Sequence, residues 1–254
     1  MTFAAFLRKE LMEIMKTSKI IILPALFLFF GILSPLSARY MNDIMSLVGE
    51  QQGISIKLPD PTFVVAYEQF FKNIYFMMII VTILIFAGTV SEEKMKGTIV
   101  LVLTKCLSRN GFIIGKLLAA ILLFTFSYVV GTIICVYYTS LLFPEFINTG
   151  IWVGLAVFWL FGILMLTLTL LTSLLCRSMT TSAVAAFTGY VVVSAIAALP
   201  YAGRYSPGAL QGLSSELASG SKVPVDALIP AAVTFSLAVA LVITAILTFK
   251  KQEL

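Results

Sequence analysis

Gly111, Gly115 and Lys116, in the run GFIIGKL, come nearest in this chain to a phosphate-binding loop. That chemistry needs G-x-x-x-x-G-K-[ST]: a tight turn aims backbone N–H groups at the phosphates, and a hydroxyl ligates magnesium. Here three residues separate the glycines, and Leu117 stands where the hydroxyl is needed. The sequence therefore predicts that this chain binds no nucleotide, and that Lys116 snorkels to the inner membrane edge. There is no histidine, which removes His-dependent zinc proteases and Ser-His hydrolases. Cys106, Cys135 and Cys176 are an odd, scattered set, fitting neither a zinc site nor a disulfide framework. No catalytic, cofactor-binding or metal-binding residue is expected, and the chain is not expected to be an enzyme.

The elements around these residues belong to a membrane. The 254 residues are 60% hydrophobic and 11% charged, with a mean hydropathy of +1.04, whereas soluble domains carry about 25% charged residues. A bilayer core about 30 Å thick takes roughly 20 apolar residues per helix. Six runs qualify, at about 20–36, 74–90, 117–143, 151–176, 179–202 and 227–249. They are continuous, unlike the short alternating strands of a barrel, so the expected fold is all-α, a single transmembrane domain. Glu10 and Glu13 ahead of the first run do not suit a cleaved basic leader. Arg8, Lys9, Lys16, Lys19, Lys94, Lys96, Lys105, Arg109, Lys116, Arg177, Lys250 and Lys251 fall on one side of the alternating segments. Arg39, Lys57, Lys72, Arg204 and Lys222 fall on the other. The positive-inside rule then puts both termini in the cytoplasm, with the net charge of +5 serving orientation and anionic lipid, not nucleic acid.

The runs hold no ionised residue, which argues against an ion path or proton relay. They hold hydroxyls such as Thr125, Ser127, Thr139, Thr169 and Thr188, and glycines such as Gly131 and Gly162, expected to pack helices and hydrogen-bond across interfaces. Tyr40, Tyr75, Tyr137, Tyr138, Trp152 and Tyr201 at run ends suit interfacial anchors. In residues 1–19, Phe3, Phe6, Leu7, Leu11, Ile14 and Met15 share a helical face, with Arg8, Lys9, Glu13 and Lys16 largely opposite, which predicts an amphipathic helix along the membrane surface. Two short outer helices are expected, one capped by Asp60 and opened by Pro61 in its first turn, with Phe63, Tyr67, Phe70 and Phe71 on one side, the other capped by Ser206 with Leu210, Leu213 and Leu217 on one side.

Between the second and third runs lies SEEKMKGTIVLVLTKCLSRNGFIIGK, residues 91–116. Met95, Ile99, Val102, Leu103 and Cys106 recur at helical spacing, which predicts an amphipathic helix over 91–105 under the membrane. This stretch, the six runs and the basic amphipathic N-terminus resemble the ABC type-2 permeases, membrane subunits of ATP-driven exporters. The matching positions are Glu92, Glu93, Gly97, Thr98, Leu101, Leu103, Ser108, Arg109, Gly115 and Lys116, with Cys106 where the family commonly has proline. The resemblance implies a coupling helix seated on a separate ATPase, with Glu92, Glu93, Lys94, Lys96, Gly97, Thr98, Leu101, Leu103 and Arg109 at the contact. It implies two ATPase copies carrying ATP and magnesium, a second permease copy or homologue, a location in the cell membrane, and outward transport. Charge-free spans suit an amphipathic, peptide, drug or lipid-like substrate. The competing readings are an ion-exporting permease of this type, or an ATPase-independent channel or membrane scaffold; a selective channel would normally show charged rings or a filter loop, which the runs lack.

Overall fold

A computed structural model describes residues 3–51, 61–99, 108–145, 148–219 and 228–252. In chain order the helices are α1 (Phe3–Lys16), α2 (Lys19–Gln51), α3 (Phe63–Asn73), a π-helical turn (Ile74–Met78), α4 (Ile79–Phe86), α5 (Ser91–Met95) and α6 (Arg109–Leu142). There follow α7 (Thr149–Leu175), α8 (Met179–Ala197), a 3-10 turn (Gly203–Tyr205), α9 (Ala209–Ala218) and α10 (Leu228–Lys251). No strand occurs among the described residues. Six helical stretches are long and apolar enough to cross a bilayer: Lys19–Asp43, Phe63–Met95, Arg109–Leu142, Thr149–Leu175, Met179–Ala197 and Leu228–Lys251. The protein is an all-α membrane protein, the outcome that continuous apolar runs dictate.

Local chemistry starts three of these helices. The side chains of Ser108, Asn148 and Ser178 accept from Gly111, Ile151 and Thr181 N–H, so α6, α7 and α8 each begin on a capped first turn. Span two differs from expectation. The segment from Phe63 is not a separate surface helix but the far part of that span, because Ala66, Tyr67, Phe70 and Phe71 are buried and α3 packs along α2. Asp60 lies outside the described residues, and Thr62 holds the cap position without a side-chain bond. The second outer helix does form, as α9, with Leu210 and Leu217 buried. Its cap is Gly208, while Ser206 donates back to the Gly203 carbonyl.

Packing explains most of the small and polar residues. Gly131 lies against the Phe27 carbonyl, where a β-carbon would come within 2.8 Å, so α2 and α6 meet backbone to backbone. Thr125 and Ser173 accept across helix interfaces as expected, but many other hydroxyls do not. Ser127, Thr139, Thr169, Thr188 and Thr234 each donate to the carbonyl four residues earlier in their own helix. A hydroxyl without a facing acceptor satisfies itself this way. Tyr75 is no interfacial anchor: it is buried, donates to Leu210 O at 3.0 Å, and packs edge-on against Phe158. Its own carbonyl, in the π-helical turn, accepts from the Tyr190 hydroxyl at 2.8 Å. These contacts seat α9 over the end of the bundle far from α1. Tyr40, Tyr137, Trp152 and Tyr201 are exposed, as membrane-interface anchors would be.

Candidate coupling site at the basic end of the bundle

The chain leaves α4 through a tight turn that α7 holds in place. Val90 N–H and Ser91 N–H both donate to Ser173 Oγ, at 2.9 and 3.1 Å. α5 then runs for five residues, from Ser91 to Met95, and stops. Gly97 has φ +68°, a left-handed conformation that side chains with a β-carbon resist, and helix resumes at Thr98. The single helix expected over 91–105 is therefore broken at Gly97, and Met95 and Ile99 do not share a buried stripe: Met95 is 60% exposed and Ile99 is buried. Leu101, Leu103 and Cys106 lie outside the described residues.

The predicted site residues divide into two groups. Glu92 and Lys96 pair at 3.4 Å on the exposed side, with Met95, Gly97 and Thr98 beside them. Glu93, Lys94 and Arg109 face inward. Lys94 Nζ donates to Gln252 Oε1 at 2.6 Å and to the Leu174 carbonyl, bridging the ends of α10 and α7. Arg109 donates to the carbonyls of Phe249, Lys250 and Gln252 at 2.9, 3.0 and 2.8 Å, which closes the C-terminal end of α10 with a cation.

Glu93 enters a cluster that the sequence did not suggest. Its Oε1 lies 3.0 Å from Lys116 Nζ and 3.3 Å from Lys9 Nζ. Lys116 Nζ is 3.1 Å from Glu10 Oε2, and Lys9 reaches Glu10 and Glu13 at 2.9 and 2.8 Å. Signs alternate through the cluster, and the Lys116 side chain is only 2% exposed. Lys116 therefore does not snorkel to a membrane edge. It is a buried cation held by carboxylates from α1 and α5, because α1 covers it. Gly115 makes that cover possible: a β-carbon there would come within 2.7 Å of the Phe6 ring. The Gly-Lys pair is thus a dock for α1, and it sits inside α6, where backbone N–H groups serve the helix ladder and form no phosphate cradle.

α1 accordingly presents a different face from the one its apolar residues predict. Phe6 and Glu10, one turn apart, are its buried residues, while Phe3 and Met15 are 41% and 65% exposed. The available signal was the ridge Phe6, Glu10, Glu13, Thr17, which runs beside the apolar stripe. Burial alone would pull the Lys9 ammonium down, but its hydrogen bonds to Glu10 and Glu13 outweigh that and raise its pKa above the ordinary 10.5. Burial would likewise raise the Glu13 carboxyl, and the Lys9 hydrogen bond outweighs it and holds the group below the ordinary 4.5. The carboxylates of Glu10, Glu13 and Glu93 lie within 4.8 Å of one another, a spacing a cation can use, and the ammonium groups of Lys9 and Lys116 already stand among them. A cleft of about 620 Å³ opens beside the cluster, lined by Glu13, Lys19, Glu92, Lys96 and Thr98 among others.

Comparison with known proteins places this architecture. The chain is 26% identical over 178 residues to an uncharacterized transmembrane protein, YxlG, of Bacillus subtilis (strain 168), with 68% of each chain covered. A family model described as ABC-2 family transporter protein matches residues 4–203, from α1 to the start of the 3-10 turn. That stretch takes in both the α1 dock and the α5 turn, and the chain belongs to the ABC-2 family of transporter proteins.

Proposed function

We propose that this chain is the membrane-embedded permease subunit of an ABC exporter, forming the transport pathway with a second permease copy or homologue and driven by two copies of a separate ATPase. The observation that carries the reading is the platform at the basic end. Met95, Lys96, Gly97 and Thr98 stand exposed, with Glu92 half-buried beside them, on a short turn whose other side is tied to α1, α7 and α10 by Glu93, Lys94 and Ser91. A push on those exposed residues is delivered to three helices at once. Nucleotide can shift the spans only as far as the closed ATPase pair prefers one arrangement of this platform. ATP and magnesium belong on the partner, and this end of the bundle faces the cytoplasm. Spans whose middle stretches hold no ionised residue suit an amphipathic, peptide, drug or lipid-like substrate.

Affinity purification of the tagged chain from its native membrane tests the reading. An ABC ATPase is expected in the same particle, with its hydrolysis in lipid discs stimulated by amphipathic compounds. Magnesium-dependent hydrolysis by the purified chain with no partner would overturn it, as would a particle without any ATPase.

A further inference from the structure

Between α6 and α7, in the half of the bundle away from α1, a groove of about 790 Å³ opens sideways. Volumes of about 300–1,000 Å³ are typical of small-molecule sites. Its floor is closed by two hydrogen bonds: Tyr128 OH donates to Leu155 O at 2.8 Å, and Trp159 Nε1 donates to Thr125 Oγ1 at 2.9 Å. Both tryptophans of the chain line it, Trp152 and Trp159, two turns apart on one face of α7. At the far rim, Tyr137 and Trp152 are 56% and 58% exposed. Between rim and floor the exposed walls are apolar, the Thr132 hydroxyl being buried beneath them beside Tyr128.

The length of the groove identifies the occupant. From Thr125 to Ser140 along α6 is about 22 Å at 1.5 Å per residue, close to half of the roughly 40–45 Å of a bilayer with its headgroups. The groove therefore runs from one membrane face to the middle of the bundle. Water finds few partners in it: the Ser140 hydroxyl is already given to the Tyr137 carbonyl, and the Trp159 N–H and Tyr128 hydroxyl are spent on the floor. Aromatic rings at the rim suit a headgroup boundary. We propose that this groove binds one amphipathic lipid of the leaflet at the far end, its chain lying over Val129 and Ala156 towards Trp159 and its polar end beside Tyr137 and Trp152. The site does not rest on the transport reading and holds whether or not an ATPase drives the chain.

The two tryptophans make the test direct. The full chain, purified and delipidated in detergent, is titrated with phosphatidylcholine carrying brominated acyl chains while tryptophan fluorescence is read. In Trp152→Phe, Trp159 alone reports. Saturable quenching, reversed by unbrominated lipid, is expected. Ala156→Phe, which fills the groove from an exposed position, is expected to weaken binding at least tenfold. Phe126→Ala, exposed on α6 outside the groove, leaves binding unchanged and controls for general lipid contact. Quenching that rises linearly with lipid and is equal in Ala156→Phe would overturn the site. So would disulfide-linked dimers of Ile133→Cys that abolish quenching, since a second copy would then fill the groove.

Discussion

Lys116 is the residue on which the basic end depends. It is buried between Glu10 and Glu93, so Lys116→Met removes the buried cation of the cluster and leaves both carboxylates to the half-exposed Lys9 alone. Breaking a buried ion pair from one side costs about 3–5 kcal/mol, and thermal unfolding in detergent should fall accordingly. Lys96→Ala cuts an exposed pair with Glu92 and should cost less than about 0.5 kcal/mol in the same assay. The Lys9–Glu13 pair gives a pH signature. Glu13 is depressed below 4.5, so its contribution is present above that value and lost as pH falls through the folded pKa. Lys9 is raised above 10.5, so its contribution is complete below 10.5 and lost only at higher pH. The small difference in melting midpoint between the natural chain and Glu13→Gln should thus be constant from about pH 6 to 9 and vanish as pH approaches the lowered carboxyl pKa.

Among the elements, the α5 turn carries the sharpest expectation. Lys96→Glu changes only exposed charge and Glu92→Arg a half-buried one on the open side of the turn, and both should weaken ATPase association, Lys96→Glu leaving melting within about 0.5 kcal/mol of the natural chain. Gly97→Val forces a β-branched residue to φ +68° at a cost of about 1–2 kcal/mol, and should lower substrate-stimulated hydrolysis without preventing insertion. Unchanged stimulation in all three would leave the turn a solvated linker. Glu93→Arg would be a poor probe of the partner contact, because it places a third cation beside Lys9 and Lys116. These distinctions mark what was legible. Apolar run length exposes each span, since a bilayer fixes helix length independently of neighbours. Helical period also gave α1 its amphipathic character and α9 its buried leucines. It could not assign Lys116 or Glu93 to a cluster, because their partners lie on a helix about a hundred residues away. Nor could period show that α3 joins span two, since Phe63 to Phe71 look alike whether they rest on a membrane or on α2.

At the scale of the whole molecule, the Lys9–Glu93 and Arg109–Lys250 contacts bring α1 and the end of α10 to the same end of the bundle, with α9 at the other. In a chain stripped of its native cysteines, Gly212→Cys, on an open surface of α9, should react with an impermeant thiol reagent from outside the cell. A cysteine at Lys96 should react only once the membrane is opened; the reverse pattern would invert the orientation. The π-helical turn at Ile74–Met78 has a consequence for chain length. Ile79 N–H reaches back five residues to Ile74 O, so the backbone there carries one residue more than an α-helical ladder requires. Phe76 and Met77 bulge to the exposed side, at 62% and 47% exposure. Span two should therefore tolerate loss of one residue at Met77, the turn relaxing to α-helix while α3 and α4 keep their partners. A deletion at Ile83, inside α4 and buried, would rotate every contact beyond it by about 100° and should abolish insertion of folded protein. The turn is a place where a membrane span can be shortened by a single codon.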